Sequence, residues 1–394
     1  MSEQEMPFSV SQVVEPNLFE IRLGAGRVNG FLVDWAAGWN PTSKRYQSSQ
    51  WLSLGYDGVV FVGEGVDVTT LVPENSMVSD TVFSMRHPGI VKLKNLTVET
   101  GTAGKGKAVS MGFENLSGPV VPKFACHLEN VKVSCPVKGV WGLFGYQCDW
   151  KLENVTFDLA KTNEHGLYAH GFSTQGVYID RLNVLGVGAE AIKFTARPGE
   201  CRYVPNTIVH VKNSLFRNWY QPHSWRGGAG ITLQGSSANL LVEDCRFVGA
   251  PDSYNRSRCF FIDDSGSDYY DENGVAGGPG APNGHVVVKR TAFSTFAVGP
   301  DWFYNIGRMG PLGSKNPPWV ARSLRMVNCG VYGANSLFSI SGPLGDSIQG
   351  NIHIANCNTP AIKDLMGRFG FYNGSESRIA GPNGLVPFSQ GLII

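Results

Sequence analysis

The chain has 394 residues, 42% of them apolar and only 16% charged, with 49 Gly and 22 Pro. That is the composition of a globular, turn-rich protein; it is too apolar for a disordered chain and lacks the strict glycine period of collagen. With 33 basic and 32 acidic residues the net charge is +1, and no basic block or long apolar stretch occurs, so neither nucleic-acid binding nor membrane insertion is expected.

The first residues, MSEQEMPFSV, carry two acidic side chains and no apolar centre. They read as neither a signal nor a transit peptide, which predicts a chain made in a cytoplasm; a mature extracellular protein is the alternative. Residues 1–20 form an arm without internal similarity to the rest, expected either to cap the fold or to attach it to another subunit. Trp35, Trp39 and Trp51 lie close together in the next stretch and are expected to pack loops onto the body.

From Lys92 onward one short pattern recurs nine times. It reads KLKNLTVET, HLENVKVSC from His127, KLENVTFDL from Lys151, YIDRLNVLG from Tyr178 and HVKNSLFRN from His210, then LVEDCRFVG from Leu241, VVKRTAFST from Val287, RMVNCGVYG from Arg325 and HIANCNTPA from His353. The fourth position is Asn95, Asn130, Asn154, Arg181, Asn213, Asp244, Arg290, Asn328 and Asn356, at spacings of 35, 24, 27, 32, 31, 46, 38 and 28 residues. A unit of fixed core and variable insertion that buries its apolar face only against its neighbours is the signature of a solenoid. Around the fourth position apolar and polar residues alternate, as in Val155 and Phe157 about Thr156, so the unit is a strand with one buried face. Asn and Asp tolerate the left-handed conformation of a sharp bend. Stacked bends would bring their side chains to strand spacing, about 4.8 Å, where amides can bond in a ladder.

Between these copies lies a second strand family: HGLYAHG from His165, EAIKFTA from Glu190, AGITLQG from Ala229, CFFIDD from Cys259 and NSLFSIS from Asn335. Together with the opening GVVFVGEGVDVTTLV, Gly58 to Val72, these segments resemble the right-handed parallel β-helix superfamily, often called pectate-lyase-like. The resemblance implies an all-β, single-chain right-handed solenoid of about 10–11 coils over residues 21–358, with residues 359–394 as a C-terminal cap or tail ending in Leu392, Ile393 and Ile394. At strand spacing that is a rod of roughly 50 Å. The fold hosts pectin-cleaving lyases and hydrolases, other polysaccharide lyases and epimerases, and bacteriophage tailspikes, so it does not decide function.

Cys245, Cys329 and Cys357 take the place of Leu96, Val131, Val155 and Leu182 in other units and are expected as small hydrophobes of the core with free thiols. No zinc spacing is present. The largest insertion, Pro251 to Gly284, carries Asp263, Asp264, Asp268, Asp271 and Glu272. An oxygen-rich loop of this kind suits calcium, but the spacing is not that of an EF-hand loop, and a solvated acidic loop without cofactor is the expectation. WYQPHSWR, residues 219–226, places Trp219, Tyr220 and Trp225 where flat rings could grip the faces of sugars or pack a loop.

On the second strand family Leu167, Ile192, Ile231 and Phe260 are expected inward. The outward set is Tyr168 and His170, Lys193 and Thr195, Thr232 and Gln234, Phe261 and Asp263, with Glu190, Arg197 and Asp264 flanking. His170, Lys193 and Asp263 are the candidate acid–base residues of this strip, expected to meet solvent, with Tyr168 and Arg197 as sugar contacts beside Trp219, Tyr220 and Trp225. The paired-Asp strand, Gly-His-Gly and Arg-x-Lys elements of pectin hydrolases are absent, as is the Arg-rich set of calcium-dependent pectate lyases. The expectation is therefore a bacteriophage virion protein (spike, head-decoration or adsorption protein) on the particle surface, bound to other virion proteins and able to recognise a host polysaccharide. The resemblance implies a homotrimer. The alternative is a polysaccharide lyase or glycoside hydrolase.

Overall fold

The computed structural model describes residues 16–29, 39–40, 45–46, 55–73, 81–85, 89–100, 107–112, 124–135, 141–160, 162, 165–173, 176–195, 207–218, 229–234, 238–248, 258–263, 285–294, 305–309, 323–332, 336–340, 352–356, 378–381 and 384–387. Among them every regular element is a strand.

Eleven leading strands define eleven units, numbered here in chain order: Leu18–Arg22, Gly58–Val62, Gly89–Glu99, Phe124–Ser134, Cys148–Leu159, Gly176–Val187, Ile208–Lys212, Asn239–Glu243, His285–Lys289, Ser323–Val327 and Ile352–Ala355. Each pairs in parallel with the leading strand of the next unit. Asn95, Asn130 and Asn154 therefore fall in adjacent units, as the repeat predicts. The result is an all-β stack of parallel strands, compatible with a β-helix.

All nine fourth-position residues adopt the left-handed conformation, with φ between 45° and 57°. The amide ladder is present where Asn follows Asn: Asn130 Nδ2 donates to Asn95 Oδ1 at 3.0 Å, and Asn154 Nδ2 to Asn130 Oδ1 at 2.5 Å. Where arginine interrupts it, carboxylates take over. Asn213 Nδ2 donates to Asp180 Oδ1 at 2.9 Å, and Arg290 binds Asp244 through two 2.8 Å hydrogen bonds.

The residue after the bend decides whether the strand runs on. In units 3–6 it is Leu96, Val131, Val155 and Leu182, and a single strand of 11 or 12 residues passes through the bend. In units 7–10 it is Ser214, Cys245, Thr291 and Cys329, and each bonds back to the carbonyl two residues earlier: Ser214 Oγ to Lys212 O at 2.7 Å, Cys245 Sγ to Glu243 O at 3.1 Å, Thr291 Oγ1 to Lys289 O at 2.9 Å and Cys329 Sγ to Val327 O at 3.4 Å. Local side-chain bonding of this type competes with the ladder. The chain resumes as a separate short strand at Leu215–Arg217, Arg246–Val248, Ala292–Ser294 and Gly330–Tyr332. The cysteines are thus core residues with free thiols, as expected, and some also serve as local acceptors' partners. Six free cysteines are buried among the described residues; Cys357 lies outside them.

The interior is one continuous apolar core. Three residues past the bend, Phe216, Phe247 and Phe293 stack face to face at 4.5 and 5.3 Å. Their bulk requires small residues opposite: a Cβ at Gly230 would sit 2.7 Å from the Phe247 ring, and one at Gly166 would sit 2.9 Å from the Phe157 ring. In unit 1 the core is open. Phe19 shares a column with the fully buried Val59, yet 40% of it is exposed.

A second sheet of nine parallel strands closes the units on another side: Phe83–Met85, Lys107–Met111, Trp141–Tyr146, Leu167–His170, Ile192–Thr195, Ala229–Gln234, Arg258–Asp263, Asn305–Met309 and Ser336–Ile340. Two antiparallel pairs lie outside the stack, Trp39–Asn40 with Arg45–Tyr46 and Arg378–Gly381 with Gly384–Pro387.

Candidate functional site

The second sheet sets the expected columns. Leu167, Ile192, Ile231 and Phe260 are in register and buried in the interior. Tyr168, Lys193, Thr232 and Phe261 form the neighbouring outward column, and His170, Thr195, Gln234 and Asp263 the next. The strip was expected to meet solvent, and here the structure differs. Tyr168, His170, Lys193, Thr195 and Thr232 are all buried, Thr232 completely. A polar pattern on an outward face marks its chemistry, not its access to water.

The strip continues into unit 4, where Phe144 and Tyr146 align with Tyr168 and His170, and the Trp141 ring lies 4.9 Å from that of Phe144. Phe144 meets the Tyr168 and Tyr146 rings edge-on at 5.6 and 5.1 Å, and Tyr168 lies 4.3 Å from the His170 ring. Two lysines cap this aromatic row. Lys107 Nζ sits 3.6 Å from the Phe144 centroid and 5.0 Å from that of Trp141, and Lys193 Nζ sits 5.3 Å from that of Tyr168. Cation–π contacts contribute about 0.5–2 kcal/mol each, most where the pair is dry, as at the buried Lys193.

Glu190 anchors the other end. Its Oε2 lies 2.6 Å from His165 Nδ1, and its Oε1 lies 3.7 Å from Lys193 Nζ. Burial alone would push the Glu190 carboxyl up, but the charges of His165 and Lys193 outweigh it and hold the carboxyl at about 2. A buried carboxylate survives only with such partners. Ionised throughout the neutral range, Glu190 is a poor proton donor and a good clamp for Lys193.

The candidate acid–base residues are not gathered at one point. His170 and Asp263 share a column but stand three strands apart, about 14 Å at strand spacing. Lys193 has Glu190 as a carboxylate neighbour. Two polar atoms of the strip, Thr232 Oγ1 and Trp141 Nε1, are buried without a hydrogen-bond partner, and such atoms ask for an explanation. Arg197, Trp219, Tyr220, Trp225, Asp264, Asp268, Asp271 and Glu272 lie outside the described residues, and of Asp263 only the backbone is described. No group of His, Cys, Asp and Glu suited to a metal ion occurs among the described residues.

Sequence reasoning missed Lys107, Trp141, Phe144 and the Glu190–His165 pairing. WGLFGY repeats the Gly-Leu-aromatic pattern of HGLYAH, and aligning the two would have found the aromatic row. Comparison with known proteins found no matching family model, curated protein or solved structure.

Proposed function

We propose that the protein is a right-handed parallel β-helix of eleven coils that serves as a structural component on the surface of a bacteriophage particle, self-associating and holding a host polysaccharide. Parallel crossovers are right-handed in nearly all folds. The observation that carries the structural reading is the closed strip: its charges neutralise one another and its aromatic faces are taken by neighbouring rings and by Lys107 and Lys193. Such a strip stiffens a rod. Glycan contact is assigned to Trp219, Tyr220, Trp225, Arg197 and Tyr168, and calcium is not required. The test is a glycan array and an infection-competition assay with purified protein. Binding that Trp219→Ala and Trp225→Ala weaken, without any product from the polysaccharide, is the expected outcome. A blank array with no competition removes the glycan part, and absence of the protein from purified particles removes the structural part.

A second reading, a polysaccharide lyase or glycoside hydrolase, is favoured by one observation: His165, Glu190 and Lys193 are titratable groups buried together on one sheet face. It predicts depolymerised polysaccharide, with turnover falling roughly 100-fold in Asp263→Ala while the fold stays intact.

A further inference from the structure

The strands that follow the bend set their outward residues in two columns. In units 4–8 the first runs Lys132, Thr156, Asn183, Leu215 and Arg246, and Arg217 stands in the second, in unit 7. Other cations on this face are answered by carboxylates. Arg27 meets Glu99 at 2.6 Å, and Lys132 meets Asp67 and Asp158 at 3.4 and 3.8 Å. The rim arginines Arg181 and Arg290 are bound to Asp180 and Asp244. Arg217 and Arg246 have no such answer. Arg217 Nη2 donates to Asn183 Oδ1 at 3.2 Å, its Nε is buried without an acceptor, and its Nη1 makes no hydrogen bond. Arg246 is exposed, and its side chain makes no hydrogen bond or ion pair among the described residues. Asp158 stands two units from Arg217, beside Lys132.

We propose that Arg217 and Arg246 form a binding site for a tetrahedral oxyanion, a phosphate or sulfate group, seated over Leu215. The bond to Asn183 draws the Arg217 guanidinium back into the first column, one unit before Leu215, and Arg246 enters that column one unit after it. Asn183 and Arg246 are two strand spacings apart, roughly 10 Å, a gap that one arginine side chain and one anion fill. The two charges then stand on either side of the ligand. Asn183 holds Arg217 in place before the ligand arrives and leaves Nη1 to meet it, so less freedom is lost on binding. Leu215, half-buried, is a floor that offers no competing hydrogen bond. A carboxylate has two oxygens, which one arginine fork fills; a group with three or four oxygens takes donors from two sides, as arginines from different units present them. The free ion and an ester carried on a polymer offer this same group, and the experiment separates them. This anion site goes beyond the function proposed above and does not depend on it, since none of its residues is among those assigned there.

The test is thermal melting and column retention of the purified full chain, with circular dichroism confirming that every variant is folded. Sodium phosphate is expected to raise the melting temperature of the wild type above that in sodium chloride of equal ionic strength. Arg217→Gln and Arg246→Gln should each raise the phosphate concentration for half the effect about tenfold or more. Immobilised dextran sulfate is expected to retain the wild type where plain dextran does not, less firmly as sodium chloride is raised, and the double variant should pass unretained. Retention without a phosphate effect assigns the site to an ester on a polymer, and a phosphate effect without retention assigns it to the free ion. Arg22→Gln, which removes an exposed arginine paired with Glu20 in unit 1, should change neither readout. No response to either probe, a response that survives both substitutions, an equal loss in Arg22→Gln, or equal retention by the carboxylate polymer polygalacturonate would overturn the proposal.

Discussion

Asn at the bend is there for its backbone. A left-handed φ near 50° costs a β-branched residue more than it costs Asn, whose short amide also bonds along the stack. Asn154→Val is therefore expected to destabilise by roughly 2 kcal/mol in a denaturant titration, since it loses both the conformation at φ 53° and the bond to Asn130. Arg181→Asn is expected to be close to neutral, because Arg holds the same conformation with less ease, its own end of the ion pair is exposed, and the buried Asp180 keeps Asn213 and Lys212 as partners. Cys245 poses the opposite demand. It is buried, and burial pushes its thiol up to about 12, so Cys245→Asp should abolish soluble expression by burying an unpaired charge. Cys245→Ser, which keeps the bond to Glu243 O, should cost less than Cys245→Val.

The elements show how a side chain one residue past the bend governs strand length, and how two charges keep a third buried. Glu190 belongs to the turn before Ile192–Thr195 and clamps Lys193 three residues on. Its carboxyl lies at about 2 when folded, below its ordinary 4.5, so the folded state binds fewer protons than the unfolded state between these values. The stabilisation is fully present above about pH 4.5 and is lost as pH falls towards 2, on the order of 3 kcal/mol in all. Melting curves should show that loss in the wild type. In Glu190→Gln the slope over this range should flatten, and stability at neutral pH should drop, because His165 and Lys193 are left buried without their anion. A steep acid limb that survives the substitution would mean that another carboxylate carries it. The same sheet depends on glycine where the core is widest: Gly230→Ala forces a Cβ against Phe247 and should cost about 1–3 kcal/mol.

Across the whole molecule, stability should follow the ladder. Units 3–6 have unbroken strands of 11 or 12 residues paired on both sides, whereas unit 1 has one described neighbour and an exposed Phe19. In a stack whose stability sums unit by unit, protection is expected to peak in the middle and fray outward. Hydrogen exchange should therefore be slowest in residues 124–195 and faster in residues 18–29; uniform protection along the chain would contradict a stack of semi-independent units.

Much of this was legible in the amino-acid order. The repeat spacing located the nine bends, and their Asn and Asp residues anticipated both the left-handed backbone and the amide ladder, because each is a local demand repeated at fixed register. Period two on the second strand family located Leu167, Ile192, Ile231 and Phe260 in the core for the same reason. What it could not disclose was access. Whether Lys193 meets water or Tyr168, that Glu190 stands beside it, and that Lys107 rests on Phe144 all depend on which units stack and what closes over them. Alternation names the side of a sheet on which a residue stands; only tertiary structure decides what stands opposite, since burial and pairing are sums over residues far apart in the chain.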